Sequence, residues 1–169
     1  MAIADCGFPP VFPVVGAGGQ VQIQTGQMML TIKGPTTLVE VDFDAGLFHP
    51  DPTQVQATLA ARSTAPPQLV EALIDTGAME SCIDEELAKS LQLPLIDEGE
   101  ASGVGGKEKF NVYLGHIRVV ALNHFQYGRF LGVKLQQGSQ PHKAILGRTL
   151  MQGMILIYDG KNGTCKLAN

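Results

Sequence analysis

The sequence predicts a mainly all-β domain, and three of its features favour that class. Short segments alternate apolar and polar residues as half-buried strands do, and residues 37–43 place Val39 and Val41 on one face. The 169 residues include 20 glycines and 10 prolines, which favours many turns and therefore many short strands. The clearest helical pattern is confined to residues 84–91. These features together predict many short strands and little helix.

The strands are predicted from alternation and from the turn residues that bound each segment. In chain order they are residues 20–25, 28–33, 37–43, 53–61, 69–74, 110–114, 117–122, 130–135, 154–158 and 164–167. Residues 53–61 are rich in Ala and Gln, so a helix is the alternative there. A loop is expected at 44–52 and a tight turn at 159–163, while residues 144–151 predict an apolar pair, a glycine and a short helix.

The helix at 84–91 is predicted from its end signals and its apolar face. Asp84 is a suitable N-cap residue, and acidic residues fill the first turn. Glu85 can pair with Lys89 one turn later. Leu87 and Leu91 share a face, so we expect that face to be buried.

Length and composition indicate one globular domain. Apolar residues make up 44% of the chain and charged residues 17%, and we interpret residues 1–19 as an extended or mobile segment before a domain at 20–169. The formal charge of -4 argues against nucleic acid as a partner, and the absence of a long apolar run argues against a membrane span. The cysteines, Cys6, Cys82 and Cys165, are odd in number and far apart, which predicts free thiols and a cytoplasmic location.

The residues that carry chemistry begin at the end of a predicted strand. Residues 69–74 are mostly apolar and stop at Asp75, which is followed at once by Thr76 and Gly77. A strand that ends on an acid and turns at glycine holds a carboxylate at a fixed place. The triplet alone occurs by chance in roughly one chain in ten of this length, so an ordinary turn is the alternative.

A glycine-rich segment at 100–107 predicts the tip of a hairpin that closes over a ligand, and an ordinary mobile hairpin is the alternative. A phosphate-binding loop is excluded, because Ala101 and Glu108 occupy positions where that motif needs Gly and Ser or Thr. The four histidines lack metal-ligand spacing. No partner motif supports Cys82 as a nucleophile, so we interpret it as a buried packing residue.

Four motifs in a consistent order resemble the retropepsin family, the single-lobed aspartic proteases of retroviruses, retrotransposons and their cellular relatives. They are the strand and Asp-Thr-Gly-Ala of residues 72–78, a helix-like segment that ends at residues 91–94, the glycine-rich hairpin, and Ile-Leu-Gly-Arg at 145–148. Asp75 and Gly147 lie 72 positions apart, which fits the spacing of that family. The resemblance covers roughly residues 68–167.

The resemblance implies a closed, mostly antiparallel β-barrel that acts as a homodimeric aspartic endopeptidase on a peptide or protein substrate. It assigns residues as follows: catalytic Asp75, Thr76 and Gly77; substrate-binding Ala78, Met79, Gly103, Val104, Gly105 and Gly106; and catalytic-loop support Ile145, Leu146, Gly147 and Arg148. Each protomer would contribute one Asp75, since the chain has a single Asp-Thr-Gly. No metal or other cofactor is implied.

Two positions depart from the family pattern. Retroviral members often have an acid four residues after the catalytic Asp, where this chain has Met79. The residue after Gly-Arg is commonly Asp or Asn, and here it is Thr149. Two alternatives therefore stay open: a weakly active or inactive module of the same fold that mediates dimerisation or peptide binding, and a generic β-barrel with a chance triplet.

Overall fold

The computed structural model describes most of the second half of the chain and parts of the first. The described residues are 1–6, 11–15, 20–25, 34–43, 66–103, 106–138 and 140–169. The predicted strands 28–33 and 53–61, the predicted loop 44–52, and Val104 and Gly105 of the predicted hairpin tip lie outside them.

The described residues form a mainly β structure, which confirms the predicted class. The strands are β1 (Ile3–Asp5), β2 (Val11–Val15), β3 (Val21–Thr25), β4 (Thr36–Asp42), β5 (Gln68–Ile74), β6 (Cys82–Asp84), β7 (Leu95–Gly103), β8 (Gly106–Val119), β9 (His124–Val133), β10 (Ala144–Leu146), β11 (Ile155–Asp159) and β12 (Thr164–Ala168). Helical structure in these residues is limited to α1 (Glu85–Ser90) and a 3₁₀ turn at Val120–Leu122. No helix among them is long and apolar enough to cross a membrane.

The largest sheet closes on itself. Its order is β4–β5–β10–β6–β9–β8–β7, and β4 pairs again with β8, so hydrogen bonds run round a complete ring from which β7 extends at the edge of β8. The side chains that fill the ring are almost fully buried, among them Val39, Val41, Ile83, Ile117, Phe130 and Leu146. The alternation that predicted β4 is therefore confirmed, because Val39 and Val41 point into this core while Leu38 is half exposed.

Two pairings in the ring are parallel, within a sheet that is otherwise antiparallel. β5 runs parallel to β10, and β6 runs parallel to β9. The carboxyl ends of two parallel neighbours meet at the same edge of a sheet. The pairing of β5 with β10 therefore brings the segment after Ile74 beside the segment after Leu146.

The ends of the chain form a second sheet. β1 pairs with β12, and β12 pairs with β11 in a hairpin. Ala4, Cys6 and Leu167 are buried beneath it. Residues 3–5 of the predicted extended or mobile segment are thus extended and held in a sheet, while the domain boundary at residue 20 stays a prediction.

The helix is confirmed, with Asp84 at its N-cap position as predicted. Asp84 makes no side-chain cap, and its Oδ1 instead accepts a hydrogen bond of 3.3 Å from the Gln136 backbone N–H. Lys89 lies 3.0 Å from Glu85, as expected, and the apolar face is buried. The short helix expected after Gly147 is wrong, because residues 148–153 form hydrogen-bonded turns.

Candidate active site

Asp75 lies at the point where β5 leaves the ring. Ile74, the last residue of β5, is paired with Leu146, the last residue of β10. The backbone N–H of Asp75 then donates to the carbonyl oxygen of Leu146 at 3.0 Å. Because Ile74 and Leu146 are buried, the start of the loop is anchored while the half-buried Asp75 reaches the surface.

The Asp75 carboxylate is oriented by its own loop. Its Oδ1 accepts a hydrogen bond of 2.8 Å from the Gly77 N–H, and the Ala78 N–H donates to the Asp75 carbonyl at 3.2 Å. A Cβ atom at position 77 would lie only 3.0 Å from that Oδ1. The glycine of Asp-Thr-Gly therefore leaves room for the close approach of the N–H group to the carboxylate.

Arg148 fastens the loop from the side. Its Nη1 donates to the carbonyl oxygens of Thr76 at 2.8 Å and Gly77 at 3.4 Å. Its backbone N–H donates to the Ala78 carbonyl at 3.0 Å. The Arg148 guanidinium thus takes its partners from the backbone of the loop that carries Asp75.

Gly147 lies in closest contact with this loop. A Cβ atom there would lie 2.5 Å from both the carbonyl carbon and the carbonyl oxygen of Glu80, and 3.0 Å from the Met79 oxygen. Backbone atoms do not give way cheaply, so a side chain is excluded at this position. Gly147 therefore packs its backbone against the backbone of Met79 and Glu80, while the role of residues 145–148 as support for a catalytic loop stays a prediction.

The comparison with known families agrees with this geometry. The sequence profile of the aspartyl protease family matches residues 67–150, which run from the start of β5 to just beyond Arg148. Residues 67–150 belong to the aspartyl protease family. A search of curated proteins gives no significant match.

Two residues that brace the aspartyl protease loop were missed from the sequence. Ser81 is fully buried, and its Oγ accepts a hydrogen bond of 3.1 Å from the Gly147 N–H. The same hydroxyl donates to Oε1 of Gln126 at 3.0 Å, and Gln126 Nε2 donates to Oγ1 of Thr149 at 3.2 Å. Ser81 follows Asp75 closely in sequence, but Gln126 is 45 positions away from it, and only the fold brings the two together.

The two residues of this loop that are predicted to bind substrate, Ala78 and Met79, differ in exposure. Met79 is 66% exposed, and its carbonyl accepts a hydrogen bond from the Thr149 N–H at 3.1 Å. Ala78 is half-buried, and Glu80 is exposed. The substrate-binding roles of Ala78 and Met79 stay predictions.

The predicted flap of the aspartyl protease domain is the long hairpin of β7 and β8. The two strands pair from Leu95 and Tyr113 out to Gly103 and Gly106. Gly106 has φ of 109°, which a residue with a side chain rarely adopts, and nothing crowds the position of a Cβ there. Gly106 therefore permits the backbone conformation at the start of β8, and the closure of the hairpin tip over a ligand stays a prediction.

Cys82 lies at the start of β6, near enough to Asp75 for the charge of that carboxylate to act on its thiol. Burial raises the pKa of its thiol to about 11, and the negative charges of Glu80 and Asp75 add to the shift. The thiol is therefore protonated near neutral pH and is a poor nucleophile. Cys82 is half-buried rather than fully buried as expected.

Proposed function

We propose that this protein is a homodimeric aspartic endopeptidase in which two Asp75 side chains, one from each protomer, activate a water molecule. The observation that carries the proposal is the carboxylate itself. Gly77 orients it at 2.8 Å, and the parallel strands β5 and β10 anchor the loop that presents it. Membership of residues 67–150 in the aspartyl protease family supports the same activity.

The second carboxylate is proposed because one is chemically insufficient. One group must accept a proton from water while another donates a proton to the scissile carbonyl. The sequence contains a single Asp-Thr-Gly, so a second copy of the chain is the natural source of the partner. Stable dimers bury on the order of 1,600 Å² in total.

Electrostatic repulsion makes one carboxylate the proton acceptor and the other the proton donor, as it does generally in aspartic proteases. Two carboxylates about 3 Å apart at an effective dielectric constant of about 20 repel by about 5 kcal/mol, so they hold one proton between them. The ionised Asp75 takes a proton from the water, whose oxygen attacks the scissile carbonyl carbon. The protonated Asp75 donates to the carbonyl oxygen. The proton taken from water is then delivered to the amine as the carbon–nitrogen bond breaks.

The remaining predicted residues have supporting roles in this proposal. The two Thr76 residues brace the paired loops, and Gly77, Ala78 and Met79 line the substrate path. The β7–β8 hairpin closes over a bound peptide and excludes water. The three free thiols and the net charge of -4 support a cytoplasmic enzyme that acts on proteins rather than on nucleic acid.

Mixing of subunits tests the proposal directly. Purified wild-type protein and the Asp75→Asn variant are combined at constant total concentration, allowed to exchange subunits, and assayed on a library of unstructured peptides. If both carboxylates of a dimer are needed, activity falls with the square of the wild-type fraction, to about a quarter in an equal mixture. A linear fall would contradict the dimeric site.

A comparison of peptide binding with peptide cleavage distinguishes an enzyme from the alternative peptide-binding module. A peptide whose scissile bond is replaced by a secondary alcohol resembles the tetrahedral intermediate and should bind more tightly than the parent peptide. Binding of both peptides with equal affinity, and no cleavage of any library member, would indicate a peptide-binding module instead.

A further inference from the structure

The buried hydroxyl of Ser81, at the end of the Asp75 loop, forms hydrogen bonds with Gly147 after β10 and with Gln126 on β9. An N–H group can only donate, so Ser81 Oγ is the acceptor in its 3.1 Å bond to Gly147. Its own proton is then available for Gln126 Oε1 at 3.0 Å. This fixes the Gln126 amide, because the oxygen faces Ser81 and the nitrogen faces Thr149 Oγ1 at 3.2 Å.

The two segments that this amide joins both hold Asp75. Ser81 closes the loop that begins at Asp75, and Thr149 lies in the turn after β10. Backbone hydrogen bonds already link these segments, from Arg148 to Ala78 at 3.0 Å and from Thr149 to Met79 at 3.1 Å. The Gln126 side chain adds a link from outside both segments.

Gln126 also ties the site to the flap strands. It lies on β9, where it is paired with Ile117 of β8, and β8 continues without a break to Gly106 at the hairpin tip. The neighbouring residues Phe125 and Tyr127 are largely exposed, so Gln126 is on the inward side of its strand. Its side chain therefore connects the strand that carries the flap to the loop that carries the carboxylate.

We propose that Gln126 is a positioning residue for Asp75, acting through Ser81 and Thr149. It holds the Ser81 hydroxyl in the orientation that satisfies the buried Gly147 N–H, and so it fixes the spacing of the two segments beneath the carboxylate. A small displacement of a reacting group lowers the rate of reaction without affecting how well the substrate binds. The proposed effect on catalysis rests on the proposed protease function, whereas the effect on the loop does not.

The test is a set of substitutions at one position. Gln126→Met keeps the length of the side chain and removes both hydrogen bonds. Gln126→Glu keeps an acceptor for Ser81, and the Thr149 hydroxyl can turn to donate to the second oxygen. Gln152→Met is the matched control, since Gln152 is exposed.

Amide hydrogen exchange measures the loop directly and does not require activity. We expect Gln126→Met to speed exchange at Gly147 and Thr149 about tenfold, while Gln126→Glu and Gln152→Met stay within about twofold of wild type. Unchanged exchange at Gly147 in Gln126→Met would overturn the proposal. If Gln126→Met fails to fold, Thr149→Val removes only the second bond and should speed exchange at Thr149; no change there would equally overturn it.

The kinetic test measures kcat per active site, and titration with a tight-binding inhibitor gives the number of active sites. Gln126→Met should lower kcat about tenfold and leave KM within about twofold, and Gln126→Glu should restore most of kcat. If Gln126→Met lowers the number of active sites but not kcat per site, Gln126 only stabilises the fold and the proposal is overturned. If the wild-type protein cleaves nothing, the proposed function fails, while the exchange result still decides whether Gln126 positions the loop.

Discussion

Arg148 Nη1 donates a 2.8 Å hydrogen bond to the carbonyl oxygen of Thr76, a residue 72 positions earlier in the chain. The bond holds the backbone between Asp75 and Gly77 from outside, at a place where that backbone is exposed. A charged donor strengthens a hydrogen bond to a carbonyl. Arg148 therefore restrains the loop while its own side chain stays at the surface.

The first prediction concerns this bond. Arg148→Met should lower kcat at least about tenfold and change the free energy of unfolding by less than about 1 kcal/mol, because the lost contact is exposed but holds a reacting group. Arg148→Lys should recover only part of kcat, since an ammonium group lacks the planar fork. Arg118→Met is the control, because Arg118 pairs with Glu40 on β4 and should leave kcat unchanged.

Gly147 leads to a prediction about stability. Gly147→Ala should destabilise the fold by about 3 kcal/mol, because its Cβ would lie 2.5 Å from Glu80 backbone atoms that are fixed by the loop. Gly138→Ala is the matched control, since its Cβ would meet its nearest atom at 3.4 Å, an ordinary contact. Urea unfolding of the two variants measures the difference, and equal midpoints would contradict the close approach.

The sequence was sufficient for the part of the site that is contiguous in the chain. The strand into Asp75, the Asp-Thr-Gly triplet and Ile-Leu-Gly-Arg are local patterns, and hydrogen bonds link Asp75, Gly77 and Arg148 in the structure. Their catalytic and supporting roles stay predictions. The Ser81–Gln126 link could not be predicted, because a glutamine that points inward from a strand looks like a break in the apolar alternation.

The strands that were missed or cut short have a related explanation. β1 has three residues and gains its partners from β12 at the other end of the chain. β9 begins at His124, six residues before the predicted start, because its inward positions Gln126 and Gly128 carry no apolar signal. Non-local pairing determined these elements, whereas β4, with its inward valines, was visible from alternation alone.

Cys82 provides a measurement of charge at the site. Its pKa of about 11 lies two units above the ordinary value of 9.0, so at about pH 8 its thiolate fraction should be about 100-fold below that of a free thiol. Glu80→Gln should speed alkylation of Cys82, and Asp75→Asn should speed it by less, because the charge of Glu80 is the larger of the two contributions. Mass spectrometry resolves Cys82 from Cys6 and Cys165. Identical rates in all three proteins would show that neither carboxylate acts on the thiol.

The flap prediction uses the backbone at Gly106. Proline is confined to φ near −65°, so Gly106→Pro cannot keep the observed value of 109° and must reshape the hairpin tip. We expect kcat/KM to fall at least about tenfold while the melting temperature falls by only a few degrees, because Gly106 is exposed. Gly153→Pro is the control, since Gly153 also has a positive φ, of 81°, and open space around it. Equal loss of activity in both variants would show that the hairpin has no specific role in catalysis.

The last prediction concerns the effect of the Asp75 charge on dimer affinity. Asp75→Asn should abolish cleavage, because an amide can neither accept the proton of water nor carry the shared proton. It should also remove the repulsion between the two carboxylates, so the dimer should be no weaker than wild type and tighter where that repulsion is strongest. The sign follows from the shared proton: at about pH 4 the pair holds it and repulsion is small, whereas at about pH 8 it is lost and both groups are charged. The gain in dimer affinity from Asp75→Asn should therefore be larger at about pH 8 than at about pH 4.

Glu80→Gln is the control for this measurement, since it removes a carboxylate near Asp75 that the proposed mechanism does not pair with its symmetry mate. Sedimentation equilibrium of the three proteins at both pH values gives the dissociation constants. If the gain from Asp75→Asn is absent, or is larger on the acid side, the two Asp75 carboxylates do not face each other. A gain of the same size from Glu80→Gln would assign the repulsion to the net charge of the interface rather than to a shared proton. Only a gain specific to Asp75 that rises with pH places the two carboxylates together across the dimer axis.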